Sequence, residues 1–324
     1  MKILITGGAG FIGYYLVKQF LNLKNQVHVV DNFLRGKNDK HIKKLSEQGA
    51  NFITANILED KSLSELDKDY DYIIHLAAII GVSNVLKNPY DVLKNNAIML
   101  FNIISLARKQ KHLKKLLFPS TSEVYAGTLK YFDIQIPTPE TTPLAITDLK
   151  HPRTSYMLSK IYGEALCHAA NIPFIIIRPH NIYGPRMGIN HVVPEILQKS
   201  HTQTDGSELK VYSPKHKRTF CFIDDAIEQI IGLLGSGIAN GGTFNIGSID
   251  KEVSIQELAQ IIINVTKKKH KILGIEDTPG SPTRRKPDMN ETLKIVQKNK
   301  WVELQDGIEK CYEWYRVNLF DIKK

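Results

Sequence analysis

A chain of 324 residues with 42% apolar and 23% charged side chains can bury a large core and is ordinary in composition for a globular protein. No run of about eighteen apolar residues exists to span a membrane, and the chain begins directly on a strand-like segment with no room for a signal peptide, so a cytoplasmic protein is expected. The formal charge is +10, yet the lysines are spread out (Lys43-Lys44, Lys114-Lys115, Lys267 to Lys269) without interleaved aromatic residues, which argues for a solvated basic surface and against a nucleic-acid partner.

The first segment, Lys2-Ile3-Leu4-Ile5, suits a strand buried on both faces. Thr6-Gly7-Gly8-Ala9-Gly10-Phe11-Ile12-Gly13 follows, then a helical pattern (Tyr15, Leu16, Phe20, Leu21), then the strand Val27-His28-Val29-Val30 ending on Asp31. Strand, glycine turn, helix, strand and terminal acid make a dinucleotide-binding unit. Gly7 allows the tight turn, Gly10 lets the backbone approach a pyrophosphate, and Gly13 lets helix and strand pack. The helix N-terminus, with Phe11 and Ile12, offers free N–H groups to the phosphates. Asp31, followed by Asn32, suits the adenosine ribose hydroxyls and selects NAD; Arg35 and Lys37 beyond it leave NADP disfavoured.

Further on, Asn38 to Gly49 reads as a helix and Asn51 to Ala55 as a strand, with Asn56 and Ile57 at its end. The strand Asp71 to Leu76 runs into Ala77-Ala78, small residues beside which a cofactor can lie; His75 is expected to be packed at that strand end. A long helix is expected from Pro89 to Gln110, carrying Asn96 and Asn102, and a strand at Lys115 to Phe118 ending at Ser120-Thr121-Ser122. Such alternation predicts an α/β fold with a doubly wound parallel sheet of the Rossmann type, whose ligands sit beyond the carboxyl ends of the strands. Residues 127–153, rich in Pro and Thr, read as loop. Then come a helix from Thr154 to Ala170, the strand Phe174 to Ile177, helices near Val193 to Lys199 and Asp224 to Leu234, a short strand at Leu209 to Tyr212, a capping box at Ser254-Ile255-Gln256-Glu257 opening a helix, and a helical tail from Val302 to Val317. The expected division is a dinucleotide-binding domain over 1–178, its sheet completed by parts of 215–246, and a smaller C-terminal lobe over 179–324 that largely binds substrate. Cys167, Cys221 and Cys311 are odd in number and without CxxC spacing, and the eleven histidines show no ligand spacing, so neither disulfides nor a metal is expected.

Tyr156-Met157-Leu158-Ser159-Lys160 places a phenol and an ammonium on one helix face. A cation at about 4 Å in an effective dielectric of about 20 is worth roughly 4 kcal/mol, about three pKa units. The oxidised nicotinamide ring adds positive charge to the same site, and together the two bring a phenolate within reach, able to take a proton from an alcohol as hydride leaves the same carbon. Lys160 also suits the nicotinamide ribose, and Glu164 is expected to pair with Lys160 across one further helical turn.

These motifs identify the chain as resembling the extended short-chain dehydrogenase/reductase family, in its nucleotide-sugar epimerase/dehydratase branch. The resemblance rests on TGGAGFIG (Thr6 to Gly13), Asp31, HLAA (His75 to Ala78), STSEVY (Ser120 to Tyr125), YMLSK (Tyr156 to Lys160), RPHNIYGPR (Arg178 to Arg186), RTFCFIDD (Arg218 to Asp225) and RRKPD (Arg284 to Asp288). It implies tightly bound NAD, contacts from Asn96 and Leu76, and oxidation of a nucleoside-diphosphate sugar at C4, with Tyr156 as base assisted by Lys160 and Thr121. It further implies that Asn181 holds the substrate diphosphate, that Arg218 contacts phosphate or sugar, that the Arg284-Arg285 region closes over the nucleotide, and that the helices from Pro89 and Thr154 pair across a homodimer. Ser122-Glu123 resembles GDP-mannose dehydratases and UDP-glucuronate decarboxylases, and RRKPD is similar to the decarboxylases, while YMLSK is closer to simple epimerases. Epimerisation is the first expected outcome, with dehydration or decarboxylation through Glu123 as alternatives and a catalytically silent NAD-binding regulatory or RNA-associated protein as the rival of another class. Two departures from the family pattern stand out: Asn56 where an aspartate is usual, and Ser213-Pro214-Lys215-His216 in place of a glycine-rich turn.

Overall fold

The structure, a computed structural model, describes residues 1–132, 134–277 and 282–322. Six strands, Lys2–Thr6 (β1), Gln26–Asp31 (β2), Asn51–Thr54 (β3), Tyr72–His75 (β4), Lys115–Pro119 (β5) and Phe174–Pro179 (β6), are separated by helices. With Thr243–Ile246 they form one parallel sheet in the order Thr243–Ile246, β6, β5, β4, β1, β2, β3. Both faces are covered, which is why β4 and β5 are buried at every position. Alternate residues serve opposite faces. Ile3 and Ile5 pack with Leu16, Val17 and Phe20 of the helix Phe11–Asn22. Leu4, Leu116 and Ile176 pack with Leu100 and Ile103 of the helix Pro89–Arg108 and Cys167 of the helix Thr154–Ala169.

The strand order reverses between β1 and β4, so the connections leave in opposite directions and open a crevice at the carboxyl ends. The expected doubly wound sheet is present, and its last strand comes from the 215–246 region. Above the crevice, Lys217–Arg218 pairs antiparallel with Val253–Ser254 and parallel with Arg284–Arg285. This small ribbon carries arginines over the sheet's carboxyl edge.

Residues 127–153 are not all loop: Ala126–Tyr131 is a short helix. Tertiary contact explains it. A Cβ on Gly127 would lie 1.7 Å from the Ala145 carbonyl oxygen, and the Thr128 hydroxyl accepts from Ala145 N–H at 3.0 Å. Lys271–Ile275, absent from the expected elements, pairs with Glu208–Tyr212. The capping box at Ser254 forms as expected, opening Ile255–Thr266, and the tail helix Leu304–Tyr315 continues as a π-helical turn over Arg316–Phe320. The three cysteines are buried and unbridged. No described helix is long and apolar enough to cross a membrane.

Candidate active site

At the β1 end, Gly7 has φ +72°, and a Cβ there would sit 2.7 Å from the Ala77 nitrogen. A Cβ on Gly13 would sit 2.5 Å from the Gly7 carbonyl oxygen. The loop therefore lies flat between β4 and the first helix only because these positions lack side chains. That helix starts at Phe11 with no side-chain cap and no acid in its first turn, so its N-terminal N–H groups and positive dipole end are left for an anion. Asp31 is buried, its carboxylate accepting from Ala9 N–H at 2.9 Å and Phe33 N–H at 2.8 Å. A glycine cradle, uncapped amides and a fixed carboxylate fit a dinucleotide's pyrophosphate and ribose. Asn32 is exposed beside it. Asn56 Oδ1 accepts from Leu58 N–H at 3.2 Å, and the Ile57 carbonyl accepts from Asn102 at 2.9 Å. Asn96 acts as a latch: it accepts from Ile79 N–H at 2.8 Å and donates to Ile79 O and Ser159 Oγ, tying the segment after Leu76, Ala77 and Ala78 to the Tyr156 helix. His75 is buried against Thr6 Oγ1 at 2.9 Å, and burial pushes it down to about 3, a packed neutral ring.

Tyr156 shares a hydrogen bond with Thr121, whose Oγ1 also accepts from Glu123 N–H at 3.2 Å. Burial pushes the phenol up to about 12, Glu123 pushes it the same way, and Thr121 and Arg35 oppose. Lys160 is not among the groups that lower it, so the expected lowering by this ammonium does not come from the protein's own side chains. Lys160 Nζ lies 5.8 Å from the Tyr156 ring centre and donates to the Pro119 carbonyl at 2.8 Å, and burial lowers it to about 8. Lys160 does not pair with Glu164 either. Glu164 is bound by Arg178 at the end of β6, at 2.9 and 2.6 Å, because the fork of a guanidinium matches both carboxylate oxygens.

Beside Thr121, Arg285 donates to Ser122 Oγ and to Glu123 Oε1, each at 3.1 Å. Arg153 approaches the other Glu123 oxygen at 3.6 Å. Arg285 first, then Arg153 and Arg218, hold the Glu123 carboxyl below the usual carboxylate range against its burial. Arg284, by contrast, turns to the surface and pairs with Glu252. Successive strand residues face opposite ways, so only Arg285 of the predicted pair enters the cleft. Arg218 is buried and donates to the carbonyls of Lys217 and Thr283, at 2.7 and 3.2 Å, bracing the Arg285 strand. Asn181 sits at φ +41° and donates to the Thr219 carbonyl at 3.0 Å, the posture of a turn residue beneath the cleft.

Sequence reasoning missed Arg153 and His180. Arg153 was visible three residues before Tyr156, one helical turn away. His180, inside RPHNIYGPR, is buried with Nε2 at 3.0 Å from Asn245 Oδ1. The Asn245 amide nitrogen donates to the Thr138 and Asp288 carbonyls, so its oxygen accepts and His180 is the Nε2–H tautomer.

Residues 3–247 match the model of the NAD-dependent epimerase/dehydratase family. A UDP-N-acetyl-alpha-D-glucosaminuronate decarboxylase of Bacillus cytotoxicus is 34% identical, over 97% of this chain and 98% of that one. UDP-glucuronic acid decarboxylase 6 of Arabidopsis thaliana is 30% identical over 100% and 91% respectively. The solved structure of a UDP-glucuronic acid 4-epimerase variant from Bacillus cereus, in complex with NAD and a fluorinated UDP-glucuronic acid, superposes with a TM-score of 0.84 at 26% identity, covering 98% of this chain and 99% of that one. With a glycine cradle at β1, an acid ending β2 and Tyr156 beside Thr121 and Lys160, the chain belongs to the NAD-dependent epimerase/dehydratase family, as an enzyme that uses NAD.

Proposed function

We propose that this enzyme decarboxylates a UDP-linked uronic acid through a 4-keto intermediate. The observation that carries the reading is Arg285 bridging Ser122 and Glu123 next to the Thr121–Tyr156 pair. Thr121 and Tyr156 serve the oxygen on C4, so the residues following Thr121 in the chain attend the neighbouring carbon, C5, and its carboxylate. NAD, when bound, accepts the C4 hydride and returns it. Tyr156 takes the C4 hydroxyl proton, with Thr121 relaying it and Lys160 fixing the ring. A ketone at C4 makes the C5 carboxylate a β-keto acid. Its C5–C6 bond breaks, CO2 leaves, and the electron pair moves into the carbonyl as an enolate, whose oxygen Tyr156 and Thr121 hydrogen-bond. A proton is then taken up at C5 and the ketone is reduced.

A C4 epimerase needs only the first and last of these steps, so the expected epimerisation shares the same oxidation. Three guanidiniums around one carboxylate favour an anionic sugar over a neutral one. Incubating the NAD-loaded enzyme with UDP-glucuronate, UDP-N-acetylglucosaminuronate and UDP-glucose, with products resolved by mass and NMR, tests the proposal. Loss of CO2 from a uronate supports it; a new isomer of unchanged mass identifies an epimerase instead. The same reading includes a homodimer through Pro89–Arg108 and Thr154–Ala169, which pack together and leave Tyr90, Phe101 and Tyr162 exposed. A monomeric mass at micromolar concentration would rule the dimer out.

A further inference from the structure

Arg186 lies in the turn after Ile182–Tyr183, far along the chain from the coenzyme end of the crevice, yet its side chain is buried against that end. Its guanidinium donates to the Asp39 carboxylate at 2.5 Å and to the carbonyls of Lys37 and Ala9 at 3.4 and 3.5 Å, and sits 4.8 Å from the centre of the Tyr14 ring. Ala9 belongs to the glycine turn, and Lys37 and Asp39 to the loop that leaves Asp31. Ala9 is thus held from both sides, Asp31 accepting from its N–H at 2.9 Å and Arg186 donating to its carbonyl. The loop closes on the turn at Gly36, which is buried and where a Cβ would lie 2.6 Å from that of Ala9. Arg35, on the same loop, places its charge close enough to Tyr156 to favour the phenolate. The loop therefore starts at the ribose acid, crosses the glycine turn and reaches towards the base, following the path of the coenzyme.

From this geometry we infer that Arg186 is a positioning residue that fastens the loop over the bound coenzyme and so sets how long NAD stays on the enzyme. Residues 32–39 contain no helix or strand, so no backbone ladder holds them in place. The ion pair with Asp39 does, and Asp39 passes the hold on to the next helix, whose first amides (His41 and Ile42) it caps at 2.9 and 3.1 Å. For NAD to leave, the loop lifts from Ala9, and lifting it parts a guanidinium from a carboxylate where little water can replace either. The inference concerns the coenzyme alone and holds whichever product leaves the sugar.

The test loads the protein with labelled NAD, chases it with unlabelled NAD and follows the label that remains bound. Arg186→Met is expected to release NAD about tenfold faster or more. Arg186→Lys, which keeps the charge and loses the fork, should fall between it and the parent. Asp39→Asn keeps the helix cap and removes the ion pair; it should also hasten release, and the double variant Arg186→Met/Asp39→Asn should be no faster than Arg186→Met alone. UDP, titrated calorimetrically into the NAD-saturated proteins, should bind each variant within about twofold of the parent, which a general loosening of the fold would not allow. Release at the parent's rate in Arg186→Met, or an equal loss of UDP and NAD, overturns the inference. Should Arg186→Met fail to fold, Asp39→Asn decides it, and release as slow as the parent's contradicts the proposal.

Discussion

Lys160 lies 5.8 Å from the centre of the Tyr156 ring, yet it gives its hydrogen bond to the Pro119 carbonyl at 2.8 Å. The ammonium is thus anchored to the end of β5, and the base waits for a further positive charge. Among the protein's own groups burial holds the phenol at about 12, so Tyr156 should stay protonated until about pH 11 when NAD is withheld. A bound pyridinium cation should move its titration downward. The ultraviolet difference between the parent enzyme and Tyr156→Phe, recorded with and without NAD, isolates this phenol from the other tyrosines. A titration indifferent to NAD would refute the idea.

Lys160 itself should trade stability for function. Burial lowers it from 10.5 to about 8, so between those values the unfolded chain binds more protons and stability rises with pH. Below about pH 8 the folded state carries the full penalty of a buried charge, on the order of 1–3 kcal/mol after allowing for the Pro119 bond. Lys160→Met should therefore lose turnover but be the more stable protein at neutral pH, with the gap closing as pH climbs towards 10.5. Urea denaturation across that range checks the sign; a gap that widens with pH would be wrong for this account.

Glu164 and Arg178 are both buried, and their two-pronged contact locks the Tyr156 helix to β6. Burying a carboxylate without its guanidinium should lower stability by about 3–5 kcal/mol in Arg178→Met. The double variant Glu164→Gln/Arg178→Met should regain a sizeable part of that loss, because no charge is left unpaired. Chemical denaturation of the three proteins measures it, and simple additivity would show that the pair is not coupled.

Much of this was written in local pattern. KILIT, the spacing of Gly7, Gly10 and Gly13, the acid at 31 and the four-residue step from Tyr156 to Lys160 each depend on one strand or one helix, so the sheet and the coenzyme end of the site could be read directly. What could not be read depends on partners distant in sequence. Both Arg284 and Arg285 are expected over the cleft and only Arg285 enters it, because which face a two-residue strand presents is set by pairing with Lys217–Arg218. Glu164 could reach Lys160 by helical spacing, but Arg178 arrives from β6 with better geometry. The helix Ala126–Tyr131 forms inside a Pro- and Thr-rich stretch because Gly127 and Thr128 dock on residues 143–145.

The two neighbouring arginines should separate cleanly. Arg285→Met removes the bonds to Ser122 and Glu123 and should reduce turnover of a uronate substrate by about a hundredfold or more. Arg284→Ala removes an exposed guanidinium from the largely covered Glu252 carboxylate and should cost about 1 kcal/mol of stability, with turnover close to the parent's. Steady-state rates on both variants decide it; equal losses would mean that the strand faces are misassigned.

The most direct measurement is the turnover of UDP-glucuronate by the NAD-loaded Tyr156→Phe enzyme. Removing this one hydroxyl should slow the reaction by about 10²- to 10⁴-fold while the protein still retains NAD. A rate within twofold of the parent enzyme's, with NAD in place, would show that another group takes the proton from the sugar.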